Sequence, residues 1–366
     1  MKTIIILHKS KVSSFPPLLS LIQVLKVLKI NVVLICSQHD DPLFLKRLEE
    51  YCFKIHLVDI KIGKNKFEKA LSWYKTRKLF WEIIENNDYS KEFLWIPTAD
   101  TTLALGKKLL RHKYILNLFE LFDMYPYYQK NLKIYAQNAQ LVICPEINRA
   151  HILKVWYQLK KLPFILENKP FDNIRGRNLT LPSELEDKIN KLKAHNKKIA
   201  IYQGIMSNDR GLEELCSLFD KSGSFILLMM GATTKFSQEL EKKYKNVVFI
   251  PFVAPPYHLH ITSHADVGIL TYDESSLNNI YCAPNKIWEY SAIGLPMLGN
   301  NIPGLINVIN QNNLGKCCDF NNILEVDKNL NYILKNYEEL SLNSSKFYNT
   351  VDVKNKIEDI ISQCKI

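Results

Sequence analysis

The chain alternates short runs of branched aliphatic residues with longer amphipathic stretches, and it does so twice. TIIIL (3–7), VVLIC (32–36), FKIHLV (53–58), FLWIP (93–97), YILNLF (114–119) and LVICP (141–145) have the length and composition of strands. Helix-length intervals separate them. In the first of these, residues 15–29, Leu18, Leu21, Ile22, Leu25 and Leu28 fall on one stripe. Strands that are apolar on both faces and joined by helices belong to a parallel sheet covered on both sides.

The rhythm breaks at NIRGRNLTLPSELEDKINKLKAHNKK (173–198), which reads as a linker and one helix, and then resumes. KIAIYQ (198–203), FILLMM (225–230), VVFIPF (247–252), VGIL (267–270) and PMLG (296–299) form a second parallel set. A length of 366 residues suits two cores. The expected architecture is therefore α/β: two tandem Rossmann-like domains, 1–172 and 173–345, with ligands bound in a cleft at the C-terminal ends of their strands. Residues 346–366 carry Val353, Ile357, Ile360, Ile361 and Cys364 on one stripe. They are expected to form a helix packing back across the domain junction.

Composition excludes several classes. No apolar run approaches the roughly 20 residues that span a bilayer, and the first residues lack a cleavage site. The eight cysteines are scattered without a CxxC pair, Cys317-Cys318 being the sole close pair. That pattern predicts reduced thiols in a cytoplasmic protein, not a disulfide or zinc framework. The net charge of +11 is uneven. Residues 1–180 hold 29 Lys+Arg against 16 Asp+Glu, and residues 181–366 hold 19 against 21. A basic first half points to an anionic surface, nucleic acid or acidic lipid, or else to an ordinary solvated exterior. FEKALSWYKTRKLFWEII (67–84) mixes Trp73, Tyr74, Phe80 and Trp81 with Lys69, Lys75, Arg77 and Lys78. It reads either as a membrane-interface helix or as a helix whose rings fill the core. A nucleic-acid role has little support, because no helix-turn-helix and no single-strand aromatic platform is recognisable.

Two loops of the second half carry the chemistry. YQGIMSNDRGLEEL (202–215) ends a strand at Gly204 and opens a helix near Gly211, with Asp209 able to cap it and Arg210 at the mouth. A helix start fed by a glycine turn receives anions, and arginine suits phosphate oxygens. CAPNKIWEYSAIGLPMLGNN (282–301) starts a helix after Pro284 and stops it at Gly294. Lys286 and Glu289, three apart, share one face of that helix. Spacing alone allows a ribose-gripping carboxylate beside a phosphate-binding ammonium, or a plain surface ion pair.

The series YQGIMSNDRGLEEL, FIPFVAP, ADVGIL, APNKIWEYSAIGLPMLGNNIPG resembles the nucleotide-sugar half of GT-B glycosyltransferases, closest to the retaining family 4 type. The resemblance implies that Glu289 binds the donor ribose and that Ala283, Pro284 and Asn285 lie against the donor sugar and diphosphate. It also implies that the loop of Phe252 and Val253 edges the nucleobase. This chain departs from the pattern at Tyr281, where a first glutamate is usual, and at Ile205, where arginine is frequent. Arg210 and Lys286 then take the cationic role. In the first half, YILNLFELFDMYP (114–126), VICPEINRA and LENKPFD are similar to the same family. Asn117 and Phe119 stand where it has aspartate and histidine, and Glu120 is kept. Glu120, expected at a strand end, and its neighbour Asp123 are the catalytic candidates, able to hold or deprotonate an acceptor hydroxyl. Their bland alternative is helix capping before Tyr125. His8 and Asp100, at matching loop positions, are acceptor-side candidates.

No DxD pair and no Cys/His cluster appears, so a metal-independent reaction without cofactor is expected, the cations stabilising the departing diphosphate. The implied function is transfer of a sugar from a nucleotide-diphosphate donor to a glycan acceptor, lipid-linked, in bacterial surface-polysaccharide assembly at the inner face of the membrane. The alternatives are a GT-B UDP-sugar epimerase and a non-catalytic nucleic-acid binder.

Overall fold

The computed structural model describes residues 2–37, 42–60, 63, 65–194, 197–207 and 210–366. The chain divides into two units, Met1–Phe171 with Asp352–Ile366, and Asp172–Val351.

The first unit is built on β1 (Thr3–His8), β2 (Asn31–Ser37), β3 (Lys54–Val58), β4 (Phe93–Ile96), β5 (Tyr114–Asn117), β6 (Leu141–Cys144) and β7 (Phe164–Ile165). All pairings are parallel, in the order β3-β2-β1-β4-β5-β6-β7. Ile4 to Leu7 and Val32 to Cys36 are buried along their whole length, which is why these strands read as unbroken apolar runs. β7, two residues long, is too short to register as a pattern. The helix Val353–Gln363 belongs to this unit. It buries Val353, Ile357 and Ile360, lies against the helix Pro16–Val27, and ties Lys356 to the Ile165 carbonyl at 3.0 Å and to Glu167 at 2.7 Å.

One expectation fails here. The run YILNLF does not stay in the sheet to its end: β5 stops at Asn117, and Glu120 lies on a bend beyond it. The Trp95 indole donates to the Asn117 side chain at 3.1 Å, and Arg149 takes the Phe119 carbonyl, so that carbonyl does not bond a neighbouring strand.

The second unit contains β8 (Lys198–Gln203), β9 (Phe225–Gly231), β10 (Val247–Pro251), β11 (Val267–Leu270), β12 (Met297–Asn300) and β13 (Gly315–Cys318). They are again all parallel, in the order β10-β9-β8-β11-β12-β13. β13 holds the adjacent cysteines. Neighbours in a strand point to opposite faces, and both thiols are free. The unit runs to Val351, past the boundary expected at 345, because residues 346–348 complete the helix Tyr337–Tyr348. Among the described residues no helix is long and apolar enough to cross a membrane.

Strand order reverses between β1 and β4 in the first unit and between β8 and β11 in the second. At such a switch point the connecting helices diverge to opposite sheet faces and leave a crevice at the C-terminal strand ends. The helix Asn285–Ala292 is seated beside the second of these by three contacts. Tyr290 is fully buried, its hydroxyl 3.3 Å from the Ile201 carbonyl and 3.4 Å from that of Ile269. Gly268 of β11 makes room for that ring: a Cβ there would lie 2.5 Å from it. On another side Trp288 stacks on Phe347 with ring centroids 4.8 Å apart. With two faces held, Lys286 and Glu289 are left on the third. Gly268→Ala is expected to force Tyr290 outward and lower the urea midpoint, costing roughly 1–3 kcal/mol as overpacking does.

Candidate functional site

Gln203 ends β8, and Gly204 turns the chain out of the sheet with φ +141°, donating its N–H to the Met230 carbonyl at 2.9 Å. A side chain there would be strained and would also approach the Lys286 ammonium, 3.4 Å from the position of a Cβ. Lys286 Nζ sits 4.2 Å from the centre of the Tyr202 ring and 5.8 Å from that of Tyr272. The Arg210 guanidinium lies 4.8 Å from the same Tyr272 ring. The two cations thus share one aromatic ring. Among the described residues neither forms a salt bridge, and Arg210 Nε is buried without a hydrogen-bond partner. Burial, together with Arg210, pushes the pKa of Lys286 down to about 7, against an opposing pull from Glu289. Two partly buried cations so close together, which Glu289 and Asp273 offset only in part and with no salt bridge among the described residues, form an arrangement that an incoming anion relieves.

Glu289 is held on both sides. Its Oε2 accepts from Gln203 Nε2 at 2.5 Å, and Gln203 Oε1 in turn accepts from the Thr262 hydroxyl at 2.6 Å. Its Oε1 lies 3.5 Å from His258 Nε2, both side chains being close to 12–13% exposed. Among the described residues His258 Nδ1, which is buried, has no hydrogen-bond partner. A buried N–H without an acceptor is disfavoured, which places the proton of a neutral ring on Nε2, facing the carboxylate. The carboxylate is oriented before any ligand arrives, with Oε1 the oxygen less engaged by protein donors.

Pro284 is buried at the N-cap of the helix, which has no side-chain cap, so the N–H groups of Asn285 and Lys286 in its first turn are not taken by a capping residue. Ala283 is partly buried beside it. Val253 is half-buried on the core of this unit, whereas Phe252 is 65% exposed. Asp209, the expected cap near Arg210, lies outside the described residues; Gly211, with φ +61°, occupies the N-cap of the helix Leu212–Ser222. Gln203, Thr262 and His258 were not singled out from sequence, although a polar residue closing the apolar run KIAIYQ was a usable signal. His260 and His264, at i and i+4, have the spacing of metal ligands but face the carbonyls of Thr180 and Leu179, each at 2.7 Å. Among the described residues no three His, Cys, Asp or Glu gather in a metal-holding arrangement.

The first unit has a different electrostatic character at its own switch point. His8, at the end of β1, is buried with its ring 5.4 Å from Phe15. Lys9 pairs with Asp100 at 2.6 Å, and the other Asp100 oxygen accepts from Trp73 Nε1 at 2.8 Å and the Tyr128 hydroxyl at 2.9 Å. Burial and the neighbouring Asp100 raise the Tyr128 pKa, so that hydroxyl stays a donor. Both Asp100 oxygens are therefore engaged, and the carboxylate fixes three side chains. Glu120 is 57% exposed and 3.7 Å from Arg149. Asp123 is partly buried in the same loop. Neither caps the helix Pro126–Asn138, whose N-cap Tyr125 has no side-chain bond.

The fold is that of GT-B proteins, two parallel-sheet units in tandem, and solved structures of this kind match along the whole chain. HepE of Anabaena in complex with UDP and glucose superposes with a TM-score of 0.71 at 14% identity, covering 99% of each chain. Sucrose-phosphate synthase from Thermosynechococcus elongatus gives 0.74 at 13%, also covering 99% of each. A glycosyltransferase from Rickettsia africae gives 0.70 at 16%, covering 100% of this chain and 99% of that one. No protein-family model matches the chain, and no curated protein matches it in sequence.

The low Lys286 pKa has a measurable consequence. The unfolded chain keeps that proton up to the ordinary lysine range, and the fold releases it near 7. Between those values the unfolded state binds more protons, so stability rises with pH across the window and the penalty is full below it. Lys286→Met is expected to melt higher than the wild type at about pH 6 and to lose that advantage by about pH 10.

Proposed function

We propose that the second unit binds a nucleotide-diphosphate sugar and that the protein is a glycosyltransferase of the retaining family 4 type, passing the sugar to a glycan acceptor. The observation that carries this reading is the helix face of Lys286 and Glu289 at the β8/β11 switch point, a pre-oriented carboxylate beside two cations that form no salt bridge among the described residues. In this reading Glu289 accepts from a ribose hydroxyl. Arg210 and Lys286 take the diphosphate and stabilise it as it leaves, with no metal or cofactor required. Gly204 lets the chain pass close to the phosphates. Ala283, Pro284 and Asn285 line the sugar, and Val253 lies toward the base. That HepE and its UDP-glucose complex share the fold supports the donor class.

In the first unit Glu120 and Asp123 are the proposed carboxylates for the acceptor hydroxyl, with His8 and Asp100 shaping the acceptor side. Asp100 acts by holding Trp73 and Tyr128 in place, since its own oxygens are engaged. The basic first half supports an acceptor carried on an anionic membrane, as in assembly of capsule or O-antigen glycans at the cytoplasmic face. A GT-B epimerase would use the same donor site without an acceptor.

UDP or GDP at a hundredfold excess over Kd is expected to stabilise the protein by about 2.7 kcal/mol, read as a thermal shift. Glu289→Ala should remove both the shift and turnover; a full shift in that variant would overturn the donor assignment. Affinity should fall by up to about tenfold per pH unit above 7, as Lys286 loses its charge, and Lys286→Gln should flatten that slope. Conversion of a UDP-sugar without acceptor, followed by chromatography, would identify the epimerase instead, and product anomer assignment by NMR tests retention.

A further inference from the structure

The aromatic-basic helix of the first unit, Lys66–Asn86, separates its side chains in a way composition did not show. Phe80 and Trp81 are buried, and Ser72 and Thr76 face the core with them. Phe67, Leu71 and Tyr74 instead stand 78%, 44% and 63% exposed. At i, i+4 and i+7 they form one outward stripe, which Lys78, four residues further on, continues. Lys69, Lys75 and Arg77 are exposed around it, Lys78 lies 3.9 Å from Glu82 in an exposed pair, and Glu68 bonds Asn65 at the helix start.

The stripe has a neighbour. Trp73, on the flank of the same helix, lies 5.9 Å from Tyr127, ring centre to ring centre. Tyr127 is exposed, together with Tyr125 and Met124 in the turn before it. The helix that Tyr127 opens carries Lys130 and Lys133 and no acidic residue. The patch lies at the C-terminal edge of the sheet, because Lys66–Asn86 follows β3 and Trp73 reaches Asp100 beside β1 and β4.

We infer that this face is a docking surface for a bilayer of anionic phospholipids, with Phe67, Leu71 and Tyr74 entering the headgroup layer and Lys69, Lys75, Lys78 and Lys130 meeting the lipid phosphates. An apolar stripe whose surrounding charge is mainly positive, with Glu68 and Glu82 the acidic exceptions, fits an anionic interface, where both the rings and the ammonium groups gain. An interface between two copies of this chain would bring the lysines of each face against those of the other, which charge complementarity opposes. The inference deepens the membrane-borne acceptor reading by naming the surface, and it places the lipid at the sheet edge that carries the acceptor-side residues.

Flotation of the full-length protein with vesicles tests it. The wild type should bind phosphatidylcholine vesicles containing phosphatidylglycerol, remain free with phosphatidylcholine alone, and release as salt rises. Lys69→Gln, Lys75→Gln and Lys78→Gln together should weaken partitioning about a hundredfold, roughly fivefold for each charge removed. Phe67→Ser with Leu71→Ser should weaken it about tenfold or more while leaving the melting temperature within a degree or two, since both residues are exposed. Wild-type protein that stays free of anionic vesicles, or variants that bind as the wild type does, would overturn the inference. So would a dimer in sedimentation equilibrium that the Phe67→Ser and Leu71→Ser changes dissociate. The UDP thermal shift, measured on the same samples, reports on the donor site alone, so loss of lipid binding with that shift intact separates failure here from failure of the proposed activity.

Discussion

The hydrogen bond from Gln203 to Glu289 joins the last residue of a central strand to the first turns of the helix that carries the site. It fixes a carboxylate at the crevice of the second sheet before any ligand is present. Its strength comes from its surroundings: both groups are largely shielded from water, the acceptor is charged, and Thr262 locks the amide in one orientation. The tertiary packing beneath it serves the same end. Tyr290 against Gly268 and Trp288 against Phe347 determine where the helix lies, and hence which of its faces remains open.

The two units share a topology but differ in electrostatics at corresponding places. At the β1/β4 switch point Lys9 and Asp100 neutralise one another, and Trp73 and Tyr128 complete the shell of the carboxylate. At the β8/β11 switch point Arg210 and Lys286 lie over aromatic rings with no salt bridge among the described residues, and burial together with the nearby Arg210 lowers the lysine pKa. A neutral, aromatic-lined edge suits an uncharged sugar hydroxyl. A cationic edge suits a diphosphate. The division of labour proposed for the two units therefore rests on charge, since their sheets are built alike.

Much of the fold was legible in the residue pattern, because parallel strands buried on both faces leave unbroken apolar runs. The strands missed were the two-residue β7 and β13, whose Gly-Lys-Cys-Cys has no such run. The end of β5 was misplaced because it depends on Trp95 and Arg149, residues distant in sequence that bond Asn117 and Phe119. Lys286 and Glu289 could be paired from helical spacing. Gln203, Thr262 and His258 could not be grouped with them, being 86, 27 and 31 residues from Glu289 along the chain and joined to it only through side-chain contacts.

By itself the sequence determined two parallel sheets, a helix start after Pro284, and the presence of a lysine and a carboxylate on one face of that helix, since these follow from local periodicity and stop signals. Tertiary structure alone decided that both Asp100 oxygens are engaged, that Glu289 is oriented by an amide, and that Phe67 faces outward while Phe80 faces in. Those outcomes depend on which distant groups arrive beside each side chain, and burial and electrostatics are set by neighbours in space, not by neighbours in the chain.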